Sequence, residues 1–315
     1  MRRLAVISMV VVCLVGIAFG QADIASVRNV ASGWSSISAI PSSVMIEKKV
    51  QEVSLILSVT DHKGHFVDNL QKDDLTIFDN ETQQRMLTFF QSQTDLPLNV
   101  AILLDVSSSV AYHLETEQDT IRAFIREIAR PRDNVTVYAF NQSVQLIVPV
   151  TNNWKQIIKT VRTMKASGET ALLDAVVTAS HSLASDTRPT RRIIVVLSDG
   201  QENSSHVNLD QATDEVLKSE SSVYAVNVVE DKITDEGKWG ESILRHLSDS
   251  TGGVYLRDDN EGRINNAFGK IQRELRSQYA LAYRPSNLVG QAFHQIQVLV
   301  PGHLRVRCRS GYYEK

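Results

Sequence analysis

Cysteine is scarce in this sequence of 315 residues, which contains only Cys13 and Cys308. Cys13 lies in an apolar N-terminal run, so the rest of the chain holds one thiol and no intramolecular disulfide is expected. The fold must therefore depend on buried cores, for which the chain is long enough. Charged residues make up 22% and hydrophobic residues 43% of the sequence. That composition is ordinary for globular domains and excludes a disordered chain or a coiled coil.

The net charge is also low, and common catalytic motifs are missing. A formal charge of −3 provides no electrostatic basis for nucleic-acid binding. The sequence has no G-x-S-x-G, and the segment from Gly262 to Lys270 lacks the spacing of a phosphate-binding loop. His62 and His65 flank a turn, but without cysteines or a third nearby ligand a solvated turn is favoured over a zinc site.

The first 22 residues have the layout of a signal peptide. Arg2 and Arg3 precede an almost unbroken apolar run from Leu4 to Phe19, and small residues follow it. The run is shorter than the roughly 20 residues that a membrane-spanning helix needs. Cleavage after Gly20 or Ala22 is therefore predicted, with an uncleaved anchor as the alternative. We expect an exported protein, either periplasmic or secreted to the cell surface.

The remainder of the chain contains three kinds of sequence. Residues 23–43 are small and polar, which predicts a flexible leader. Residues 44–95 and 278–315 carry short β-strand signals without a helix. Residues 96–277 alternate apolar strands with amphipathic helices, which is typical of a doubly wound, Rossmann-like α/β domain. Since neither flank is long enough to be stable alone, we predict that the two pair into one β-sandwich-like domain.

Periodicity also predicts individual elements, with a turn at residues 79–80. Helices are predicted at residues 115–129, 154–164, 171–183, 209–218, 241–247 and 264–275. Strands are predicted at residues 53–59, 75–78, 86–90, 99–104, 192–197, 223–229, 254–256, 279–283, 294–300 and 304–309, and two more within 135–150.

The first apolar strand of the α/β region ends in oxygen-bearing side chains. Asp105, Ser107 and Ser109 follow it in a D-x-S-x-S pattern. Ligands of open α/β sheets bind at the carboxyl ends of the strands. One carboxylate and two hydroxyls there are hard donors that suit Mg²⁺ or Mn²⁺. The same pattern also occurs in ordinary turns and helix caps.

Two later segments add donors of the same kind. Thr170 opens a predicted helix after Gly168, and Asp199 ends another apolar strand before Gly200. Each also has a simpler interpretation, as a helix N-cap and as an Asp-Gly turn. Their order along the chain and their strand-end or helix-start positions favour one shared site for a divalent metal. Its predicted ligands are Asp105, Ser107, Ser109, Thr170 and Asp199.

This set resembles the metal-ion-dependent adhesion site (MIDAS) of the von Willebrand factor A (VWA) family, which is also found in integrin inserted domains. The five residues match that motif one by one, and the resemblance covers residues 96–277. It implies a VWA domain in which Ser107, Ser109 and sometimes Thr170 bind Mg²⁺ or Mn²⁺ directly. Asp105 and Asp199 would act partly through waters. An aspartate or glutamate of a protein partner would complete the coordination shell.

The flanks are similar to those of bacterial secreted "VWFA-related" proteins, which are best known from acidobacteria. On the N-terminal side the matching positions are Val67, Leu70, Asp74, Leu75, Ile77 and Phe78. On the C-terminal side they are Gln278, Tyr279, Leu281, Tyr283 and Pro285, followed by residues 309–313. This narrower similarity implies a secreted bacterial protein.

Three functions stay open at this point. The predicted one is a non-enzymatic adhesion or receptor-like module whose metal captures a partner carboxylate. The first alternative is a structural or assembly subunit in which the metal only orders loops. The second is a serine hydrolase with Ser107, Ser108 or Ser109 as nucleophile and a His–Asp pair brought in by the fold. Membrane contact is expected only with an uncleaved signal segment. The partner, the oligomeric state and any switching between affinity states do not follow from the sequence.

Overall fold

The apolar and amphipathic segments form fourteen strands and six α-helices in the described part of this computed structural model. It describes residues 52–92, 96–112, 114–128, 130–227, 234–257, 263–286 and 292–314. The strands are β1 (Val53–Thr60), β2 (Thr76–Asp79), β3 (Thr82–Gln84), β4 (Leu87–Gln91), β5 (Leu98–Asp105), β6 (Asn134–Phe140), β7 (Val144–Thr151), β8 (Arg191–Leu197), β9 (Ser221–Asn227), β10 (Tyr255–Arg257), β11 (Tyr279–Tyr283), β12 (Phe293–Leu299), β13 (Arg305–Arg307) and β14 (Gly311–Tyr313). The helices are α1 (Leu114–Ile128), α2 (Trp154–Val161), α3 (Leu172–Ala184), α4 (Leu209–Lys218), α5 (Asp235–Ser250) and α6 (Arg263–Ser277).

The central strands form a six-stranded sheet with the order β10-β9-β8-β5-β6-β7. All its neighbouring strands are parallel except β7, which runs antiparallel to β6 at one edge. Every residue of β5 is buried, because this strand lies inside the sheet and helices cover both of its faces. The apolar run that marked β5 in the sequence therefore has a direct structural cause.

Successive β5 side chains enter two different hydrophobic cores. Ile102 packs with Phe124 of α1 and Ile271 of α6 on one face of the sheet. Leu103 packs with Val176 of α3, together with α4 and α5, on the other face. This alternation follows from the two-residue period of a strand. The result is a doubly wound α/β domain.

The two flanks interleave in a pair of four-stranded sheets, with the orders β13-β1-β11-β4 and β14-β12-β2-β3. Val53 of β1 lies opposite Tyr283 of β11, and Ile77 of β2 lies opposite Val298 of β12. Apolar side chains from both flanks share one core. Each sheet thus contains strands from both ends of the chain. The predicted fold class, an α/β domain with a flanking β-sandwich-like unit, is confirmed.

A buried carboxylate joins the two flanks inside this unit. Asp79 of β2 accepts hydrogen bonds from the hydroxyls of Tyr283 and Tyr312, each at 2.8 Å. Its other oxygen lies 2.8 Å from Nδ1 of His294. A carboxylate with so many partners avoids much of the cost of burial. Asp79 therefore ties β2 of the N-terminal flank to β11, β12 and β14 of the C-terminal flank.

Some predicted elements differ from the structure. The turn predicted at residues 79–80 lies one residue later, since Asp79 belongs to β2, while Asn80 and Glu81 adopt positive φ angles in a two-residue hairpin loop. Strands β3 and β14 were not predicted, because polar or very short segments become strands only through pairing with β2 and β12. Helix α5 begins at Asp235, earlier than its apolar periodicity indicates, because Thr234 caps it.

The predicted signal peptide (1–22) and leader (23–43) lie outside the described residues. Among the described helices, none is long and apolar enough to cross a membrane.

The interleaved sheets predict that residues 44–95 do not fold alone. In the intact chain, β1 takes both of its neighbours, β11 and β13, from the C-terminal flank. Without them, its buried residues would lose most of the shared core, and β2 with β3 would remain as a lone two-stranded hairpin, which is marginal in water. We expect the isolated segment to show no cooperative unfolding by circular dichroism. A cooperative transition of that segment would contradict joint folding of the flanks.

Candidate metal centre

Parallel pairing of β5 with β8 brings two aspartates to the same edge of the α/β sheet. The strands are in register from Leu98 opposite Arg191 to Leu104 opposite Leu197. Asp105 is the last residue of β5, and Asp199 follows β8 by two residues. Neighbouring parallel strands end at one edge, so the loops that follow them share that edge. We name them loop A (residues 105–112) and loop C (residues 198–208), and the segment that precedes α3 is loop B (residues 162–171).

Backbone hydrogen bonds join loop A to loop B. Ser108 N donates to Gly168 O at 2.9 Å, and Ser167 N donates to Val106 O at 2.7 Å. These two bonds run in opposite directions between the same pair of loops. They hold the serines of loop A beside the segment that carries Thr170.

Loop C closes the ring by bonding to both other loops. Thr170 N donates to Oδ1 of Asn203 at 2.8 Å, and Asn203 N donates back to Thr170 O at 3.1 Å. Ser198 Oγ donates to Oδ2 of Asp105 at 2.6 Å. Each loop is therefore hydrogen-bonded to the other two. The arrangement is preorganised by the chain itself.

Asp105 is fully buried at the centre of this ring. Its Oδ1 accepts a hydrogen bond from Ser107 N at 2.8 Å. Burial raises the pKa of Asp105 from 3.8 to about 6, although the hydrogen bonds from Ser107 and Ser198 oppose the shift, and the negative charge of Asp199 adds to it. No cationic side chain forms an ion pair with Asp105 within the described residues. A buried carboxylate of this kind is stabilised by a bound cation.

The hydroxyls of loop A lie beside this carboxylate. Ser107 is fully buried and Ser109 is half-buried, and their Oγ atoms are 3.0 Å apart. Asp199 is 7% exposed, and its Oδ1 accepts a hydrogen bond from Gln201 N at 2.9 Å. Each of these side chains thus keeps an oxygen lone pair that its hydrogen bonds do not use.

Thr170 does not cap α3, which removes the simpler interpretation of this residue. The N-cap position is Ala171. The first-turn amides of α3 bond instead to loop C: Leu173 N donates to Oε2 of Glu202 at 2.9 Å, and Asp174 N donates to Oγ of Ser205 at 3.1 Å. Thr170 is buried, and its hydroxyl forms no hydrogen bond within the described part of the chain. That hydroxyl is free to serve as a ligand.

Three residues that sequence reasoning missed support the site. Ser198 orients Asp105, Asn203 holds the backbone of Thr170, and Glu202 takes over the capping of α3. Ser198 lies next to Asp199 in the sequence, which is the one local signal that pointed to it. Asn203 and Glu202 act on residues about thirty positions earlier, and no sequence spacing predicts those contacts.

The donor set fits a hard divalent cation. Two carboxylates and three hydroxyls suit Mg²⁺ or Mn²⁺ better than zinc, which favours sulfur and nitrogen. Within the described residues, no group of three or more His, Cys, Asp or Glu side chains forms a different candidate metal site. His65, which the sequence placed in an H-x-x-H turn, lies 3.0 Å from the carboxylate of Asp61 and is largely exposed. Asp105, Ser107, Ser109, Thr170 and Asp199 remain the predicted ligands.

A comparison with known proteins matches the segment of the chain that carries the predicted ligands. Residues 100–201 match the sequence model of the von Willebrand factor type A domain, and all five predicted ligands lie within that range. The chain's fold is also similar to the von Willebrand factor type A structure from Catenulispora acidiphila, at 12% identity and a TM-score of 0.51, covering 78% of this chain and 75% of that one. The α/β domain has the von Willebrand factor A fold.

Two further proteins are similar to a smaller share of this chain. An uncharacterized protein of Borreliella burgdorferi is 27% identical over 189 residues, which are 51% of this chain; the chain spans about half (54%) of that protein's length. Proximal thread matrix protein 1 from the mussel byssus, solved with zinc in its MIDAS motif, is 14% identical with a TM-score of 0.48, covering 59% of this chain and 49% of that one.

Gly200 is predicted to be essential for the geometry of loop C. It has a φ of +82°, and a Cβ atom there would lie 2.3 Å from the backbone oxygen of Gly240 in α5. We expect Gly200→Ala to lower the free energy of unfolding by about 2–4 kcal/mol and to displace Asp199. Gly302→Ala is the matched control, because Gly302 has a φ of +78° with nothing within 4 Å of its Cβ position. Urea unfolding should show a loss of about 1 kcal/mol in the control; equal losses would contradict the packing argument.

Burial of Asp105 predicts a pH-dependent stability of the metal-free VWA domain. Its folded pKa of about 6 exceeds the ordinary 3.8, so the folded state holds this proton more tightly than the unfolded state does. The contribution to stability is present below pH 4 and is lost as pH rises through 6. In EDTA, wild type should therefore lose up to about 3 kcal/mol relative to Asp105→Asn between pH 4 and pH 7. If the free energies of unfolding of the two proteins change in parallel across this pH range, the raised pKa of Asp105 is refuted.

Proposed function

We propose that the protein is an exported, non-enzymatic binding module whose VWA domain holds a divalent metal, Mg²⁺ or Mn²⁺, and uses it to capture a carboxylate of a protein partner. The observation that carries this proposal is the hydrogen-bonded ring of loops A, B and C. The ring surrounds Asp105 with hydroxyl groups, and this buried carboxylate forms no ion pair among the described residues. Asp105, Ser107, Ser109, Thr170 and Asp199 would hold the metal.

The chemistry of the donors supports a partner carboxylate. Three of the five are neutral hydroxyls, and each aspartate already accepts a hydrogen bond from a backbone amide of its own loop. A divalent cation held this way keeps much of its positive charge. Mg²⁺ prefers six oxygen ligands and retains waters where the protein supplies too few. An incoming aspartate or glutamate would replace one such water and neutralise the remaining charge.

Two exposed aromatic side chains near the centre favour binding over a purely structural role. Tyr112 of loop A is 96% exposed and lies three residues beyond Ser109. Trp239 of α5 is 62% exposed and precedes Gly240, whose backbone packs against Gly200 of loop C. Exposed tyrosine and tryptophan are typical anchors of protein interfaces. A subunit whose metal only orders its own loops has no need of such exposed side chains on loop A and next to loop C.

The alternatives are a structural or assembly subunit and a serine hydrolase. For the hydrolase, the serine nucleophile should bond to a histidine base. The Oγ of Ser107 instead lies 3.0 Å from that of Ser109. Absence of labelling by a fluorophosphonate probe is the expected outcome. Export to the bacterial periplasm or surface, as in the secreted "VWFA-related" proteins, is part of the proposal and rests on the signal-like segment at residues 1–22.

Removal of the central carboxylate should abolish metal binding. We expect Asp105→Ala to lose detectable affinity for Mg²⁺ and Mn²⁺ in isothermal titration calorimetry, and the rise in melting temperature that these metals cause in wild type should disappear. Asp210→Ala is the control, since Asp210 is an exposed acid on α4 outside the centre. Zn²⁺ belongs in the same titration because the mussel protein carries it. Unchanged Mg²⁺ and Mn²⁺ binding in Asp105→Ala would show that the ligand assignment is wrong.

Partner capture separates the binding module from the structural subunit. Immobilised wild type should retain a partner from the native exported fraction in Mg²⁺ and release it in EDTA, while Asp105→Ala and Trp239→Ala should retain much less. Release by EDTA reflects loss of the metal, and the tryptophan variant tests the interface with the metal centre intact. If metal binding is present in wild type but retention is the same with and without EDTA, the metal orders loops only.

A further inference from the structure

A large concavity lies away from the predicted metal ligands, where the VWA domain meets the β-sandwich-like unit. This cleft has a volume of about 1200 Å³. One wall is formed by α6 and β10, and the other by β1, β12, β13 and the turn after β1. It shares none of its lining residues with the predicted metal ligands. We call it the basic cleft because of the charges that line it.

Cations outnumber anions around the basic cleft. Its positively charged residues are Lys63, Lys270, Arg273, Arg305, Arg307 and Arg309, and its negatively charged residues are Asp61, Asp249 and Glu274. The chain as a whole has a net charge of −3. The cleft therefore has the opposite sign to the rest of the protein. Such a concentration of charge attracts ligands of opposite charge.

Two of the three acids already have hydrogen-bonding partners among their neighbours. Glu274 is 4% exposed and accepts hydrogen bonds from Arg307 at 2.9 Å and from the hydroxyl of Ser58 at 2.7 Å. Asp61 lies 3.0 Å from Nδ1 of His65 and accepts two backbone amides of its own turn. Asp249 is the acid that is left without an ion pair among the described residues.

Four of the cations have no such partner. Lys63, Lys270, Arg273 and Arg305 form no ion pair within the described part of the chain, and all four are exposed. Lys270 and Arg273 lie one helical turn apart on α6, while Lys63 and Arg305 belong to the opposite wall. Free cations thus face the cleft from both sides, where a single extended anion could reach them.

Apolar side chains supply the rest of the surface. Phe66, Val254, Leu256 and Val306 are half-buried in the lining, and Leu299 is 46% exposed. A ligand that carried only carboxylates would leave these apolar side chains exposed to water. A ligand that carries both acidic and apolar groups would match the whole lining.

We propose that the basic cleft binds an extended acidic peptide segment of another protein, with glutamate or aspartate residues on the four free cations and apolar residues on Phe66, Leu256 and Leu299. The volume exceeds the 300–1,000 Å³ that is usual for small-molecule sites, which favours a polymer. A phosphate polymer would pair with the cations but has no side chains for the apolar lining. Residues 23–48 of this chain contain two acids and two bases, so they offer no charge complementarity.

The test is fluorescence anisotropy of the full-length protein with a short fluorescein-labelled peptide that mixes glutamate, leucine and phenylalanine. We expect saturable binding that weakens as salt rises, because the exposed charges are screened. The charge-reversed Lys270→Glu/Arg273→Glu variant should bind at least about tenfold more weakly. Lys63→Glu/Arg305→Glu should do the same from the opposite wall. All four substituted side chains are exposed, and circular dichroism will verify that each variant folds.

Lys155→Glu/Lys159→Glu is the matched control, because it makes the same change of charge on the exposed face of α2. This variant should stay within about twofold of wild type. EDTA and Asp105→Ala should leave peptide binding unchanged, which makes the result independent of the metal centre. Equal losses in the control and cleft variants would overturn the proposal, as would an absence of peptide binding. Polyphosphate binding as tight as that of the peptide would overturn the assignment to an acidic peptide.

Discussion

The candidate metal centre depends on the parallel pairing of β5 with β8. This pairing ends both strands at one edge of the sheet and so brings Asp105 and the Asp199 loop together. Burial of β5 on both faces then forces Asp105 into an environment where its negative charge is costly. Hydrogen bonds from Ser107 and Ser198 offset part of this cost. A cation would supply the rest, so the stability of the domain and its proposed affinity for a metal have the same physical origin.

Capping of α3 shows how the surrounding loops leave the hydroxyl of Thr170, a predicted ligand, without a hydrogen-bonding partner. In an isolated helix, Thr170 beside the first turn would be expected to satisfy exposed amides. Here Glu202 and Ser205 of loop C reach those amides instead. The hydroxyl of Thr170 is therefore not needed to cap α3, while the backbone of Thr170 stays hydrogen-bonded to Asn203. Loop C therefore has two roles: it carries Asp199, and it determines what Thr170 can do.

The β-sandwich-like unit creates a second surface that neither flank could form alone. Each of its sheets takes strands from both ends of the chain, and Asp79 bonds to three side chains of the C-terminal flank. The Glu274–Arg307 ion pair ties α6 of the VWA domain to β13 of this unit. The basic cleft lies next to that contact. Its opposing cations come from α6 and from segments on either side of the domain, so they meet only in the assembled fold.

The sequence by itself determined the elements that depend on local pattern: the apolar central strands, most helices, the fold class and the strand-end positions of Asp105 and Asp199. These follow from periodicity because burial on one face or on both faces of an element sets the spacing of its apolar residues along the sequence. Only the tertiary structure decided the roles of Ser198, Glu202 and Asn203, the extra strands β3 and β14, and the grouping of cations in the basic cleft. Those features depend on contacts between residues far apart in the chain. A contact of that kind leaves no periodic signal, since its energy depends on the position of a distant partner rather than on the neighbours in sequence.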